Sequence, residues 1–137
     1  MAYLLDTNVV SELRKGQRSN RGVRRWFSTV DPAELFLSVL VVGELRRGVE
    51  RIRRRDLAAA RALDRWLQGL GRMYEDRILP VTLEICEQWG RLTVERPIAP
   101  IDGLIAATAL RHQLTLVTRN VSDVARSGVA TLNPFLA

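Results

Sequence analysis

The stretch Met1-Ala2-Tyr3-Leu4-Leu5-Asp6-Thr7-Asn8-Val9-Val10-Ser11-Glu12-Leu13 decides the fold. Tyr3-Leu4-Leu5 is an apolar run of the length expected for a buried strand, and it stops at an acid followed by two polar residues. Apolar residues resume at Val9, where a short helix is predicted to about Arg14. Asp6 thus stands where a strand hands over to a helix. A carboxylate there can cap the helix by accepting a backbone N–H, or it can serve chemistry at the strand exit. The pattern leaves both uses open.

The same alternation runs down the chain. A helix is predicted over Val23–Val30, with Trp26 and Phe27 on its buried face, and Leu35–Val41 reads as a second strand. A helical region follows from about 43 to 70, its apolar residues at three-four spacing. Asp56, after Arg53-Arg54-Arg55, restarts that pattern as an N-cap, which predicts a helical hairpin. Ile78-Leu79-Pro80-Val81 is a short strand that Pro80 confines to an edge. Thr82 caps a helix to about Glu95, Pro97 and Pro100 mark a loop, and Ile101–His112 is helical. Leu114–Thr118 is a strand, Arg119–Asp123 its exit loop, and Val129–Leu132 a last strand. Strands separated by helices imply crossover connections, hence an α/β fold with a parallel central sheet covered on both faces. Such sheets bind ligands beyond the carboxyl ends of their strands, where the strand order reverses.

Bulk properties narrow the function. A chain of 137 residues, 47% of them hydrophobic, suits a single domain over 1–137 with one core. No apolar run is long enough to cross a bilayer, and the N-terminus lacks a signal-peptide pattern, so a cytoplasmic protein is expected. The formal net charge is +6, and Lys15 is the only lysine among 21 basic residues. Arginine's planar fork suits phosphate, although an arginine-rich codon usage would give the same composition. Without a Gly-Lys-Ser/Thr loop or a GxGxxG pattern, nucleotide-triphosphate and dinucleotide enzymes drop away. Cys86 alone permits no internal disulfide or Cys-rich zinc site, and it is expected to be a small buried residue. His112 alone excludes a paired-histidine nuclease, and it is expected in the last turn of its helix.

The acids fall where such a sheet would gather them. Asp6 ends the first strand and Glu44 begins the helix after the second. Asp102 opens the helix that feeds the strand at 114–118, and Asn120 and Asp123 follow that strand. Each has a plain structural use as a cap, a first-turn acid or a solvated loop residue. Gathered on one rim, they would raise one another's pKa and need a cation. With oxygen ligands only, that cation is Mg²⁺ or Mn²⁺. An acidic notch holding a metal in a basic surface describes a phosphodiesterase.

Ordered motifs carry a resemblance across essentially the whole chain. Leu4-Leu5-Asp6-Thr7-Asn8-Val9-Val10 is followed by Leu37-Ser38-Val39 leading to Gly43-Glu44-Leu45-Arg46-Arg47-Gly48-Val49. Ile101-Asp102-Gly103-Leu104-Ile105-Ala106-Ala107-Thr108-Ala109, Val117-Thr118-Arg119-Asn120-Val121-Ser122-Asp123 and Asn133-Pro134-Phe135 complete the set. Together they resemble the PIN-domain ribonucleases of the VapC toxin family, within it the FitB-like branch. The resemblance implies a three-layer α/β/α sandwich and Mg²⁺- or Mn²⁺-dependent RNA cleavage. It also implies a homodimer and a VapB-type antitoxin, whose complex with the toxin binds operator DNA through the antitoxin. By position, Asp6 and Asp102 would be metal ligands, with Glu44 completing the acidic triad. Thr7, Ser38, Thr118 and Asn120 would be the supporting polar residues, and Arg119 a nucleic-acid contact. Some members carry a fourth acid where Asn120 stands, and others carry it at the position of Asp123.

Arg46–Arg55 reads as a solvated face braced by a Glu50–Arg54 pair, or as the region that in the family clasps the antitoxin. Two rivals stand beside the nuclease. A haloacid-dehalogenase-like phosphatase would use Asp6 as nucleophile, but it wants an acid where Asn8 stands. A non-catalytic nucleic-acid-binding PIN module, acting in a repressor complex, would need no divalent ion.

Overall fold

A computed structural model of the chain describes residues 1–95 and 97–137. Its strands are β1 (Tyr3–Leu5), β2 (Leu35–Ser38), β3 (Ile78–Leu79), β4 (Thr115–Val117) and β5 (Thr131–Leu132). They form one sheet in the order β3-β2-β1-β4-β5, every pair parallel. The helices are α1 (Thr7–Leu13), α2 (Arg21–Thr29), α3 (Val39–Arg53), α4 (Leu57–Met73), α5 (Leu83–Thr93), α6 (Pro100–His112) and α7 (Val121–Val124). This is the predicted α/β/α sandwich, and the sheet topology accounts for its core. β1 lies at the centre, with Tyr3 in register with Leu35 on one side and Thr115 on the other. Leu4, Leu5, Leu35, Leu37, Leu116 and Val117 are essentially inaccessible, as expected for strands covered on both faces. The strand order reverses between β1 and β4, so their carboxyl ends flank the crevice where such folds bind ligands.

Several predicted boundaries shift for local reasons. The second strand ends at Ser38 rather than Val41, because Ser38 Oγ accepts the Leu40 N–H at 3.1 Å and starts α3. A continuous apolar run could not reveal that switch. The hairpin forms as predicted, with the Asp56 carboxylate accepting from the Ala59 N–H at 3.0 Å. Its two helices are tied by Arg46 and Arg53, both of which reach Glu50 and Asp64. Glu50 therefore pairs with Arg46 and Arg53, not with Arg54. Trp26 packs edge-on against Tyr3, at 5.3 Å between ring centroids. Phe27, one step further round the helix, remains 36% exposed, contrary to expectation.

Cys86 is also exposed, because α5 turns Ile85 inward and Cys86 lies about 100° away round the helix. The exit loop after β4 contains a single helical turn, α7, and the last strand shortens to Thr131–Leu132. His112 does close α6, whose cap is Gln113 in the left-handed conformation at φ 57°. α5 meets α6 closely at Gly103, where an added Cβ would lie 3.0 Å from Trp89 ring atoms. That contact fixes α6 one residue from Asp102.

Candidate functional site

The site is built around the exit of β1. The Asp6 N–H donates to the Val117 carbonyl at 2.9 Å, which ties the exits of β1 and β4 together. Both uses of Asp6 left open by the sequence are realised, one on each oxygen. Oδ1 accepts the Thr7 N–H at 2.8 Å at the start of α1. Oδ2 faces β4, where it accepts the Thr118 hydroxyl at 2.8 Å and the Asn8 amide at 3.5 Å.

Thr118 is 1% exposed and its Oγ1 is fully committed. It donates to Asp6 and accepts from the Asn120 N–H at 3.1 Å and from Asn8 Nδ2 at 3.3 Å. Asn8 Oδ1 in turn accepts the Arg119 N–H at 3.0 Å. Asn8 thereby laces α1 to the β4 exit loop. In the sequence Asn8 stands out only as the place where a phosphatase would carry an acid, with no role in the site. Its signal was an amide two residues after a strand-exit acid.

The other acids arrive from separate elements. Glu44, in the second turn of α3, accepts the Thr7 hydroxyl at 2.5 Å, so Thr7 couples α1 to α3. Asp102 lies in the first turn of α6, where the helix dipole suits an acid. Asp123 sits in α7 and is exposed, with its N–H on the Asn120 carbonyl at 3.1 Å. Ser38 spends its oxygen on the α3 cap, so it positions the helix that carries Glu44 without itself touching an acid in the described contacts. Asn120 is exposed, and its backbone rather than its amide holds Thr118. Arg119 sits at the rim, exposed, its guanidinium 5.1 Å from the centre of the Phe135 ring.

Electrostatics bind the four acids into one group. Burial raises the pKa of Asp6 most, and the charges of Glu44 and Asp123 raise it further, while the bonds from Thr118 and Thr7 pull it down. The Asp102 carboxyl is likewise raised, first by burial and then by Asp6, Asp123 and Glu44. Acids that lie 96 positions apart in sequence, as Asp6 and Asp102 do (102 − 6), feel each other because the fold brings them to one crevice.

Among the described residues, no three Asp, Glu, His or Cys side chains stand in a ready-made metal cage. The donor chemistry nonetheless fits a hard divalent cation. All the donors are oxygens, and Mg²⁺ needs only one or two direct carboxylates, with waters filling its octahedron. Asp6 and Asp102, each pushed toward protonation by burial first and by nearby carboxylates second, are the two that a cation would relieve most.

The chain is similar to known proteins along nearly its whole length. The model of the PIN domain family matches residues 3–123. The chain is 32% identical to Toxin FitB of Neisseria gonorrhoeae over 140 aligned positions, covering 96% of this chain and 97% of FitB. It is also 32% identical to VapC ribonuclease Y4jK of Sinorhizobium fredii, with 96% of each covered. In the solved structure of FitAB bound to an IR36 DNA fragment, one chain superposes with a TM-score of 0.86 at 31% identity, covering 97% of this chain and 95% of that one. Other solved chains of this fold come from toxin–antitoxin complexes.

Proposed function

Since this chain belongs to the PIN-domain family, in the branch of the FitB and VapC toxins, we propose that it is a divalent-metal-dependent endoribonuclease, the toxin of a toxin–antitoxin pair. One observation carries the reading. At the crevice where the strand order reverses, the charges of Glu44 and Asp123 bear on Asp6, and the charges of Asp6, Asp123 and Glu44 bear on Asp102, in both cases after burial.

Asp6 and Asp102 would hold Mg²⁺ or Mn²⁺. The ion supplies Lewis-acid polarisation of the phosphodiester and neutralises charge that develops on it. The remaining steps belong to the protein. Glu44 and Asp123 orient the attacking water and take its proton as oxygen adds to phosphorus and the bond to the leaving ribose oxygen breaks. Thr118 holds Asp6, and Thr7 holds Glu44, in the orientation that this requires. Arg119 at the rim contacts the backbone of the bound strand.

The partner surface lies elsewhere. A groove of about 690 Å³ runs between α1, α2 and α4, with Phe27, Trp66, Leu70 and Met73 among its apolar lining and Arg21 and Arg24 beside them. Arg24 Nε is buried there with no hydrogen-bond acceptor among the described residues. An antitoxin segment with apolar anchors and acidic flanks would fill the groove and supply that acceptor, and it would carry the toxin, as a homodimer, onto operator DNA.

The test of the enzyme is cleavage of labelled RNA in Mg²⁺ or Mn²⁺, with and without excess EDTA. Asp6→Asn should cut at no more than about 1% of the wild-type rate while folding normally, since the charge it removes acts in the transition state. Metal-independent cleavage, or an active Asp6→Asn protein, refutes the proposal. RNA binding that needs no divalent ion and leaves the RNA intact identifies a binding module instead.

A further inference from the structure

Charge is spread unevenly along the chain, and one element holds the whole excess. Residues 46–72, most of the α3–α4 hairpin, carry nine arginines and three acids, an excess of six (9 − 3). The formal net charge of the full chain is also +6, so everything outside this hairpin balances, twelve bases (21 − 9) against twelve acids (15 − 3). A codon bias toward arginine exchanges one base for another and does not gather them in one place. All three acids of the hairpin are engaged: Glu50 and Asp64 pair with Arg46 and Arg53, and Asp56 caps α4. The other seven arginines (9 − 2) are exposed, and among the described residues none of them is in an ion pair.

Their placement is directional. Glu44 reaches the crevice from α3, where it accepts the Thr7 hydroxyl. Arg47 and Arg51 follow on the same helix at i+3 and i+7, and Arg54 at i+10 keeps helical backbone, with φ −65° and ψ −22°. At about 100° and 1.5 Å per residue, all three fall within about 80° of Glu44 and lead about 15 Å away from it. On α4, Arg61, Arg65 and Arg72 form a second exposed stripe at four- and seven-residue spacing.

We propose, resting on the nuclease reading, that this face of the α3–α4 hairpin is a docking surface for the RNA backbone, receiving the strand as it leaves the crevice. A polyanion is repelled by the acids of the crevice and needs compensating attraction beside them. Guanidinium forks supply it, binding phosphate oxygens in pairs without reading the base. The ridge from Glu44 to Arg54 matches about four nucleotides of a stacked strand at about 3.4 Å each. An acidic protein segment meets the same charge, but the ridge continues the face that carries Glu44, which favours a ligand already lying in the crevice.

The experiment is equilibrium binding of a fluorescein-labelled RNA decanucleotide to the full chain in EDTA, read by anisotropy across a salt series. Arg51→Gln combined with Arg54→Gln should flatten the slope of log affinity against log salt by about 1.4, two phosphates at about 0.7 each. Over one decade of salt that is about 25-fold in affinity. Both positions are exposed and outside any described ion pair, so the variant should unfold at the wild-type midpoint. Arg51→Lys with Arg54→Lys, which keeps the charge, should keep the slope. Arg91→Gln with Arg111→Gln removes the same charge from α5 and α6 and should leave the slope unchanged. In Mg²⁺ the hairpin variant should raise KM for the decanucleotide while kcat holds. An unchanged slope in the hairpin variant, an equal fall in the α5–α6 variant, or a lower kcat at unchanged KM overturns the proposal. So does a loss confined to binding of a polyglutamate peptide, which gives the surface to a protein partner. Failure of the nuclease reading looks different: the RNA stays intact in Mg²⁺ and Mn²⁺ while the difference in slope persists.

Discussion

Replacing Thr118 by valine keeps the shape of the side chain and removes one oxygen that makes three hydrogen bonds. The two bonds it accepts come from the side-chain amide of half-buried Asn8 and the backbone N–H of exposed Asn120. The bond it donates goes to the Asp6 carboxylate at 2.8 Å from a position only 1% exposed. A bond of that charge-assisted kind contributes about 1.5–3 kcal/mol, so the expected loss in metal-free protein at neutral pH is about 2 kcal/mol. With 137 residues unfolding at about 2.1 cal/mol/K each, that loss lowers the thermal midpoint by about 7 °C. The sign with pH follows from Asp6. Its folded pKa already lies above the usual carboxylate value, and Thr118 is one of the groups that hold it down. Without the hydroxyl, the folded pKa rises further, so the variant's deficit is full while Asp6 is ionised and shrinks as pH falls through that pKa. Thermal unfolding followed by circular dichroism in EDTA, at neutral pH and again in the upper carboxylate range, measures both numbers. Thr118→Ser, which keeps the oxygen, should recover most of the loss. An equal deficit at both pH values, or a deficit under about 2 °C at neutral pH, refutes the assignment of Thr118 as the donor that holds the Asp6 charge.

Because the native pKa values of Asp6 and Asp102 are both raised, their charges cost the metal-free wild-type protein stability at neutral pH, and that cost is relieved as pH falls through the raised folded values toward the unfolded ones. Denaturant titrations in EDTA should show this gain, and saturating Mg²⁺ should remove it by stabilising the ionised pair at neutral pH. Gly103→Ala places a Cβ 3.0 Å from the Trp89 ring and 3.3 Å from Thr93. It should cost about 1–3 kcal/mol, and it should slow RNA cleavage more than it lowers affinity for RNA, because it displaces the turn that carries Asp102. A variant with normal cleavage and a normal midpoint would show that α5 yields without moving α6.

Much of this was legible in the sequence, and for identifiable reasons. The hairpin was readable because Asp56 interrupts a long helical pattern with a capping side chain, and Thr82 marked α5 in the same way. The crevice was readable because a parallel sheet puts its strand exits on one rim, so Asp6, Glu44, Asp102 and Asp123 could be grouped before any contact was known. What escaped depends on tertiary packing. The end of β2 hides in an unbroken apolar run, where a single Ser38 hydroxyl decides between strand and helix. Phe27 and Cys86 each sit next to the residue that packs inward, and spacing alone assigns such neighbours poorly. Asn8 acts through a bond to Thr118 across 110 positions (118 − 8), which no local pattern encodes.

On the proposed nuclease reading, the place of β4 also sets when a growing chain could first cut RNA. The strand that orients Asp6 begins 109 positions after it (115 − 6), at Thr115, so β1, β2 and β3 are all synthesised before that strand. On that reading translation yields a scaffold whose acidic crevice is incomplete until residues 115–118 have emerged, which gives an inhibitor made beforehand time to meet it. A chain stopped before Thr115 should leave RNA uncut and cells growing, and killing by such a fragment would contradict this order of events.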